Sequence, residues 1–174
     1  PNDEGGYLGA RLDRVQELVD TLDNAVWTNQ YGNRANPKAH YVTMSEIASS
    51  LPDADYVFSA TSTCGTLMGC ASYIQEKNLS TKLIAVDAQG SVIFGNKPKE
   101  RFIPGHGAGL PSQFLDKSSI YDVMHISDME CVMGCKKLLE TESILAGGSS
   151  GAVTTAFLKR VPELPKSSKC VLIL

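Results

Sequence analysis

Residues 56–69, read Tyr-Val-Phe-Ser-Ala-Thr-Ser-Thr-Cys-Gly-Thr-Leu-Met-Gly, constrain this chain more than any other stretch. Residues 56–60 form a short, β-rich and mostly apolar run, which predicts a buried strand. From Leu67 onward, Met68, Ala71 and Ile74 recur at helical spacing. Between them lies Thr61-Ser62-Thr63-Cys64-Gly65-Thr66, a run of small hydroxyl, thiol and glycine residues. A turn of this kind leaves backbone N–H groups unpaired at the positive end of a helix dipole, with hydroxyls beside them, and phosphate is the usual guest of such a cradle. The same letters also suit an ordinary strand–turn–helix junction capped by Ser or Thr. Two familiar phosphate loops are excluded. A Walker A loop needs Gly-Lys-Ser/Thr, and no lysine lies between Lys38 and Lys77; the dinucleotide fingerprint needs three spaced glycines, and only Gly65 and Gly69 are present.

The flanking chain alternates strands with helices. Residues 7–22 carry Leu8, Leu12, Val15, Leu18, Val19 and Leu22 on one helical stripe, with Arg11 and Arg14 off it. Residues 25–27 (Ala-Val-Trp) read as a short strand, and residues 29–37 as a loop rich in Asn and Gly. A helix is expected over 40–50, then strands over 82–87 and 122–126. Ser127 and Glu130 form a capping box for a helix running to about Glu142. A second small-residue turn, Ala146-Gly147-Gly148-Ser149-Ser150-Gly151-Ala152, precedes a helix over 153–160, and residues 170–174 form a last strand. Alternation of this kind gives an α/β fold with a parallel sheet, whose ligand sites lie at the carboxyl ends of the strands; both small-residue turns fall there. Residues 88–111 are long, aperiodic and rich in Gly and Pro, which marks a functional or disordered loop.

Bulk properties narrow the partners. The 174 residues are 43% hydrophobic and 20% charged, which suits one packed domain. A net charge of −3 argues against nucleic acid as an obligate partner. No apolar run is long enough for a membrane span and no signal peptide opens the chain, so the cytoplasm is the expected address. Five cysteines at scattered spacing, Cys64, Cys70, Cys131, Cys135 and Cys170, give no disulfide framework. Cys131 and Cys135 share a helix face, yet no second Cys or His pair completes a zinc site, so no metal is expected.

Three stretches together resemble the pyridoxal-phosphate enzymes of the cysteine synthase and cystathionine β-synthase family. They are Asn29-Gln30-Tyr31…Ala35-Asn36-Pro37…His40-Tyr41, the loop Ser62-Thr63-Cys64-Gly65-Thr66, and residues 146–152. The loop departs from the family's usual Gly-Thr-Gly-Gly-Thr. With Gly5-Gly6-Tyr7-Leu8 and residues 86–98 (Val-Asp-Ala-Gln-Gly-Ser-Val-Ile-Phe-Gly-Asn-Lys-Pro), the departure resembles the branch that makes N-(2-amino-2-carboxyethyl)-L-glutamate.

The resemblance implies a tryptophan synthase β-subunit-like fold (fold type II) and the cofactor pyridoxal 5'-phosphate. It implies β-replacement on O-phospho-L-serine by L-glutamate, through an aminoacrylate, on a route to 2,3-diaminopropionate and siderophores such as staphyloferrin B. Cysteine synthase and cystathionine β-synthase are the alternatives. By the same resemblance, Ser62, Thr63, Cys64, Gly65 and Thr66 hold the cofactor phosphate, and Ser149 faces the pyridine nitrogen. Arg11, Tyr31 and Ser62 contact substrate, and the working form is a homodimer. His106 lies at the edge of the site, where a solvated loop histidine is expected and no role is assigned. The family's Schiff-base lysine motif is not in this sequence, so residues 1–174 are expected to be a fragment carrying mainly the larger, C-terminal cofactor domain. A non-catalytic module for a phosphorylated ligand is the reading from another functional class.

Overall fold

The computed structural model of the chain describes residues 7–174. The opening at Pro1–Gly6, with the Gly5 and Gly6 of the resemblance, lies outside the described residues. Two compact units divide the chain between Asn33 and Arg34.

The first unit holds helix α1 (Tyr7–Thr21). The helix ends where Leu22 N–H donates to Leu18 O and Asn24 takes a left-handed φ of 64°. The strand expected over 25–27 is not formed; these residues are irregular. A turn follows in which Asn33 N–H donates to Asn29 O at 2.8 Å and the Asn33 side chain donates to Thr28 O at 3.0 Å.

The second unit is built on a four-stranded parallel sheet in the order β3-β2-β1-β4, with β1 Tyr56–Ala60, β2 Lys82–Ala88, β3 Asp122–Ile126 and β4 Cys170–Ile173. The register pairs Phe58 of β1 with Ile84 of β2 and Leu172 of β4. Alternation along the strands splits the core in two. Val57, Leu83 and Ala85 face α2 (Ala35–Ser50) and α3 (Gly65–Glu76), where Met44, Leu67 and Cys70 are buried. Tyr56, Phe58, Ile84 and Val86 face α4 (Asp128–Glu142) and α5 (Gly148–Arg160), where Cys131, Ala152, Val153 and Ala156 are buried. Both faces of a parallel sheet must be covered in this way because its strands are apolar on both sides.

Two helices start earlier than the sequence suggests. Helix α2 begins at Ala35, not at residue 40, with Pro37 in its first turn. A proline is tolerated there because first-turn N–H groups have no intrahelical partner. Helix α5 begins at Gly148 rather than near Val153, since Gly151 N–H already bonds Gly147 O. Its glycines serve contact with α4: a Cβ on Gly151 would stand 2.0 Å from Cys131 O, and one on Gly134 would stand 2.0 Å from Gly151 O. The helix backbones therefore touch, a closeness that any side chain at these positions would prevent.

The capping box at α4 forms as expected, with Ser127 Oγ accepting from Glu130 N–H and Glu130 Oε2 accepting from Ser127 N–H at 2.8 Å. The other carboxylate oxygen of Glu130 accepts from Lys159 of α5. The Lys159 ammonium, with the Ser127 backbone and hydroxyl donors, pulls the Glu130 carboxyl down to about 2 from an ordinary 4.5. A depressed carboxyl contributes stability that is present above its unfolded pKa and lost as pH falls through the folded one. The urea midpoint of the protein is therefore expected to fall between pH 4.5 and pH 2. The same scan on Glu130→Gln should be flatter in that window, and an unchanged slope would show that the box carries no proton linkage.

Candidate functional site

Strand order fixes where a ligand can sit. The chain leaves β1 for its neighbour β2 on one side, then returns after β3 to add β4 on the other. The helices entered and left at β1 and β4 lie on opposite faces, which opens a crevice at the carboxyl ends of these two strands. A cavity of about 220 Å³ occupies that place. It is lined by Ser59 and Ala60 of β1, Ile173 and Leu174 at the end of β4, the loop Ser62–Thr66, Gly105, and Ser149 in the first turn of α5. Whole-ligand sites run to ~300–1,000 Å³, so this volume suits the phosphate end of a ligand.

The loop is tied down residue by residue. Thr61 N–H donates to Val86 O at 2.9 Å, and its hydroxyl donates to Asp87 Oδ1 at 2.8 Å. Thr63 Oγ1 accepts from Asn36 of α2 at 3.3 Å, and Thr63 O accepts from the Ser112 hydroxyl at 2.7 Å. Thr66 Oγ1 meets His40 Nε2 of α2 at 3.2 Å. Gly65 permits this closeness: a Cβ there would stand 2.0 Å from Asn36 Oδ1. Among the described residues, the hydroxyls of Ser62 and Ser149 have no hydrogen-bond partner, and neither do the backbone N–H groups of Ser62, Thr63, Cys64 and Thr66. The donors left over are the ones beside the cavity.

Cys64 makes the turn. It caps α3 in the left-handed region, with φ 65° and ψ 14°, and is 2% exposed. Burial pushes its thiol up to about 11; the neighbouring Ser112 side chain works the other way, while the Asp87 charge adds to the rise. The thiol is therefore neutral and adds no negative charge to an anion site. No carboxylate side chain lines the cavity among the described residues. Free N–H donors at a helix N-terminus, free hydroxyls and the lack of a lining carboxylate side chain fit a phosphate group.

The structure brings Ser62, Thr63, Cys64, Gly65, Thr66 and Ser149 together around one cavity, although Ser149 lies more than eighty positions along the chain. Arg11 lies in α1 and Tyr31 in the turn after it, both in the first unit; their substrate role is a proposal taken up below. His106 is not a solvated loop histidine as expected: it is 1% exposed. Burial lowers its pKa, with Asp87 and Asp128 opposing that and Arg101 reinforcing it. Asn36, His40 and Ser112 are supports that sequence reading missed. Asn36 and His40 stand four apart, one helical face, a signal hidden by reading 29–37 as loop. Ser112 offers no local signal. The cysteines are free, Cys64, Cys70 and Cys131 buried and Cys135 and Cys170 half-buried, and among the described residues no group of three or more His, Cys, Asp or Glu could hold a metal ion. No helix among the described residues is long and apolar enough to cross a membrane.

Fold and cavity together define a parallel α/β protein with a donor-rich cavity, of a kind that suits a phosphate group, at the switch point of its sheet. Residues 4–174 match the family of pyridoxal-phosphate dependent enzymes, and the chain belongs to that family. It is similar to the O-acetylserine dependent cystathionine β-synthase of Helicobacter pylori, with 30% identity and a TM-score of 0.88 over 100% of this chain and 57% of that one. It is also similar to the cysteine synthase of Entamoeba histolytica, with 29% identity and a TM-score of 0.85 over 98% of this chain and 51% of that one. An O-ureido-L-serine synthase shares the fold, with 22% identity and a TM-score of 0.87 over 100% of this chain and 55% of that one. The chain thus spans just over half the length of these structures.

Left-handed backbone at a residue with a side chain costs about 1–2 kcal/mol, and more where the Cβ is branched. Cys64→Val is expected to lower stability by about 2–3 kcal/mol, whereas Cys64→Gly, which relieves the backbone but loses buried sulfur, should stay within about 1 kcal/mol of the parent. Urea unfolding of the two variants measures the difference. Equal losses would contradict a strained turn.

Proposed function

We propose that this chain carries the phosphate cradle of an enzyme that performs β-replacement on an activated serine, joining O-phospho-L-serine to L-glutamate with release of phosphate. The product of that reaction is N-(2-amino-2-carboxyethyl)-L-glutamate, a precursor of 2,3-diaminopropionate for siderophores. The observation that supports this most is the presence, in one cavity, of the phosphate cradle and the neutral Ser149 hydroxyl, with no carboxylate side chain among the lining residues.

Bound pyridoxal phosphate supplies an electron sink for chemistry at the amino-acid Cα. In this reading the N–H groups of the 62–66 loop and the Ser62 hydroxyl hold the cofactor phosphate at the helix N-terminus. Ser149 presents a hydroxyl to the ring nitrogen, and a neutral group there leaves that nitrogen largely unprotonated. The sink is then weaker, which favours loss of a β-substituent over transamination. Arg11 and Tyr31 contact the substrate's carboxylate or phosphate, Arg11 through paired charge-assisted hydrogen bonds, and Ser62 shares in that contact. The same reading takes the working form to be a cytoplasmic homodimer.

Similarity to the two solved enzymes at 29–30% identity keeps O-acetylserine and sulfur nucleophiles as the competing substrates. The test uses the whole gene product loaded with pyridoxal phosphate and followed by visible absorbance and phosphate release. A spectral response to O-phosphoserine, reversed by glutamate with release of inorganic phosphate, is expected. Preference for O-acetylserine with reversal by sulfide or homocysteine would move the assignment to the sulfur enzymes. Failure to take up the cofactor would leave a non-catalytic binding module. In the expected case Arg11→Ala raises the KM for O-phosphoserine by about tenfold or more, the scale of a lost charged hydrogen bond.

A further inference from the structure

Five buried side-chain polar atoms have no hydrogen-bond partner among the described residues, and four of them gather in one place: Asp87 Oδ2, Arg101 Nε, and both ring nitrogens of His106. Buried polar atoms without partners are rare in folded proteins, so four together call for an explanation. The place is the carboxyl end of β2, directly behind the phosphate loop. Asp87 is wholly buried, and its other oxygen is taken by the Thr61 hydroxyl at 2.8 Å and by Ala88 N–H at 2.9 Å. Arg101 Nη1 donates to His106 O at 3.0 Å. Gly107 N–H donates to Thr61 O at 2.7 Å, so the segment bearing His106 is tied to the first residue of the loop. A Cβ on Gly107 would stand 2.7 Å from that of Ala88 and 3.0 Å from Arg101 Nη1, so position 107 takes no side chain. Gly105, one residue before His106, lines the phosphate cavity.

The surrounding charges are already engaged. Asp128 accepts from Phe102 N–H at 2.7 Å, and His125 Nε2 meets Asn96 Nδ2 at 2.6 Å while standing 3.9 Å from Asp87 Oδ2. The four remaining atoms form an acceptor on Asp87, a donor on Arg101, and one donor and one acceptor on a neutral imidazole. Water both donates and accepts, and needs two to four such partners to be held in a protein interior.

We propose that Asp87, Arg101 and His106 enclose a water-filled polar chamber behind the phosphate loop, and that His106 is through it a positioning residue for the Gly105 wall and the phosphate-binding donors. The chamber stands on the four unpartnered buried atoms; its coupling to phosphate rests on the proposed reading of the loop. An apolar side chain at 106 removes two of the chamber's polar groups and lets the Gly105–Gly107 segment shift. A Gln there restores one donor and one acceptor.

The experiment has two parts, both on the whole gene product. The first is a crystal structure: ordered water within hydrogen-bond distance of Asp87 Oδ2 and of a His106 ring nitrogen is expected. A direct Asp87–His106 hydrogen bond, or a chamber without water, overturns the proposal, and this part needs no variant to fold. The second measures affinity for inorganic phosphate by calorimetry, on the gene product freed of pyridoxal phosphate, beside thermal melting. His106→Leu is expected to weaken phosphate binding about tenfold and His106→Gln to stay within about twofold of the parent, the scale of one lost internal hydrogen bond. A purely structural histidine would lower the melting temperature in the Leu variant without changing phosphate affinity, and that result overturns the positioning role. Absence of phosphate binding in the unaltered protein overturns the reading of the loop and the coupling with it, while the water positions still decide the chamber.

Discussion

A single peptide turn at the end of β1 carries the rest of the site. Cys64 folds the chain into the left-handed region. The N–H groups of Ser62, Thr63, Cys64 and Thr66 are left outside both the ladder and the helix. Free donors of this sort are costly in a protein interior unless something anionic or wet meets them. Here they meet the cavity. The turn persists because its neighbours hold it on every side: Asp87 grips Thr61, Asn36 and Ser112 grip Thr63, and His40 grips Thr66. These four supports come from β2, α2 and the long 89–121 connection, so the geometry of six residues depends on most of the second unit.

The sheet order explains why Ser149 joins this turn from so far along the chain. Adding β4 beside β1, rather than beyond β3, places the N-terminus of α5 and the end of β4 at the same crevice as the loop. The close α4–α5 contact at Gly134 and Gly151 holds α5 against its partner on that face. Together these features gather the loop, Ser149 and the end of β4 around one crevice.

Much of this was legible in the sequence, and the reason differs from element to element. Residues 56–60 and 82–87 announced themselves because a buried parallel strand is an unbroken β-rich run, and the Ser127–Glu130 box because its hydrogen bonds are local. The short Ala25-Val26-Trp27 run is irregular rather than a strand, since an apolar triplet becomes a strand only where a sheet edge accepts it. Helix α2 starts earlier than its sequence suggests because Asn and Pro are loop formers by local propensity, while in the fold the helix they open sets Asn36 and His40 against the 62–66 loop. His106 was misjudged for the opposite reason. Glycines on both sides suggest a surface loop, yet here Gly107 lets the chain come close to Ala88 and Arg101 while His106 beside it is buried. The supports that no sequence pattern offered, Ser112 and the Asp87–Thr61 pair, are contacts across long stretches of chain between residues with no local signature.

The central physical claim is that the 62–66 loop is the phosphate cradle. A crystal structure of the whole gene product with pyridoxal phosphate tests it most directly. Phosphate oxygens within about 3 Å of the backbone nitrogens of residues 62–66 are expected, with the Ser62 hydroxyl as a further donor. A phosphate bound elsewhere, with those nitrogens facing only water, would contradict it.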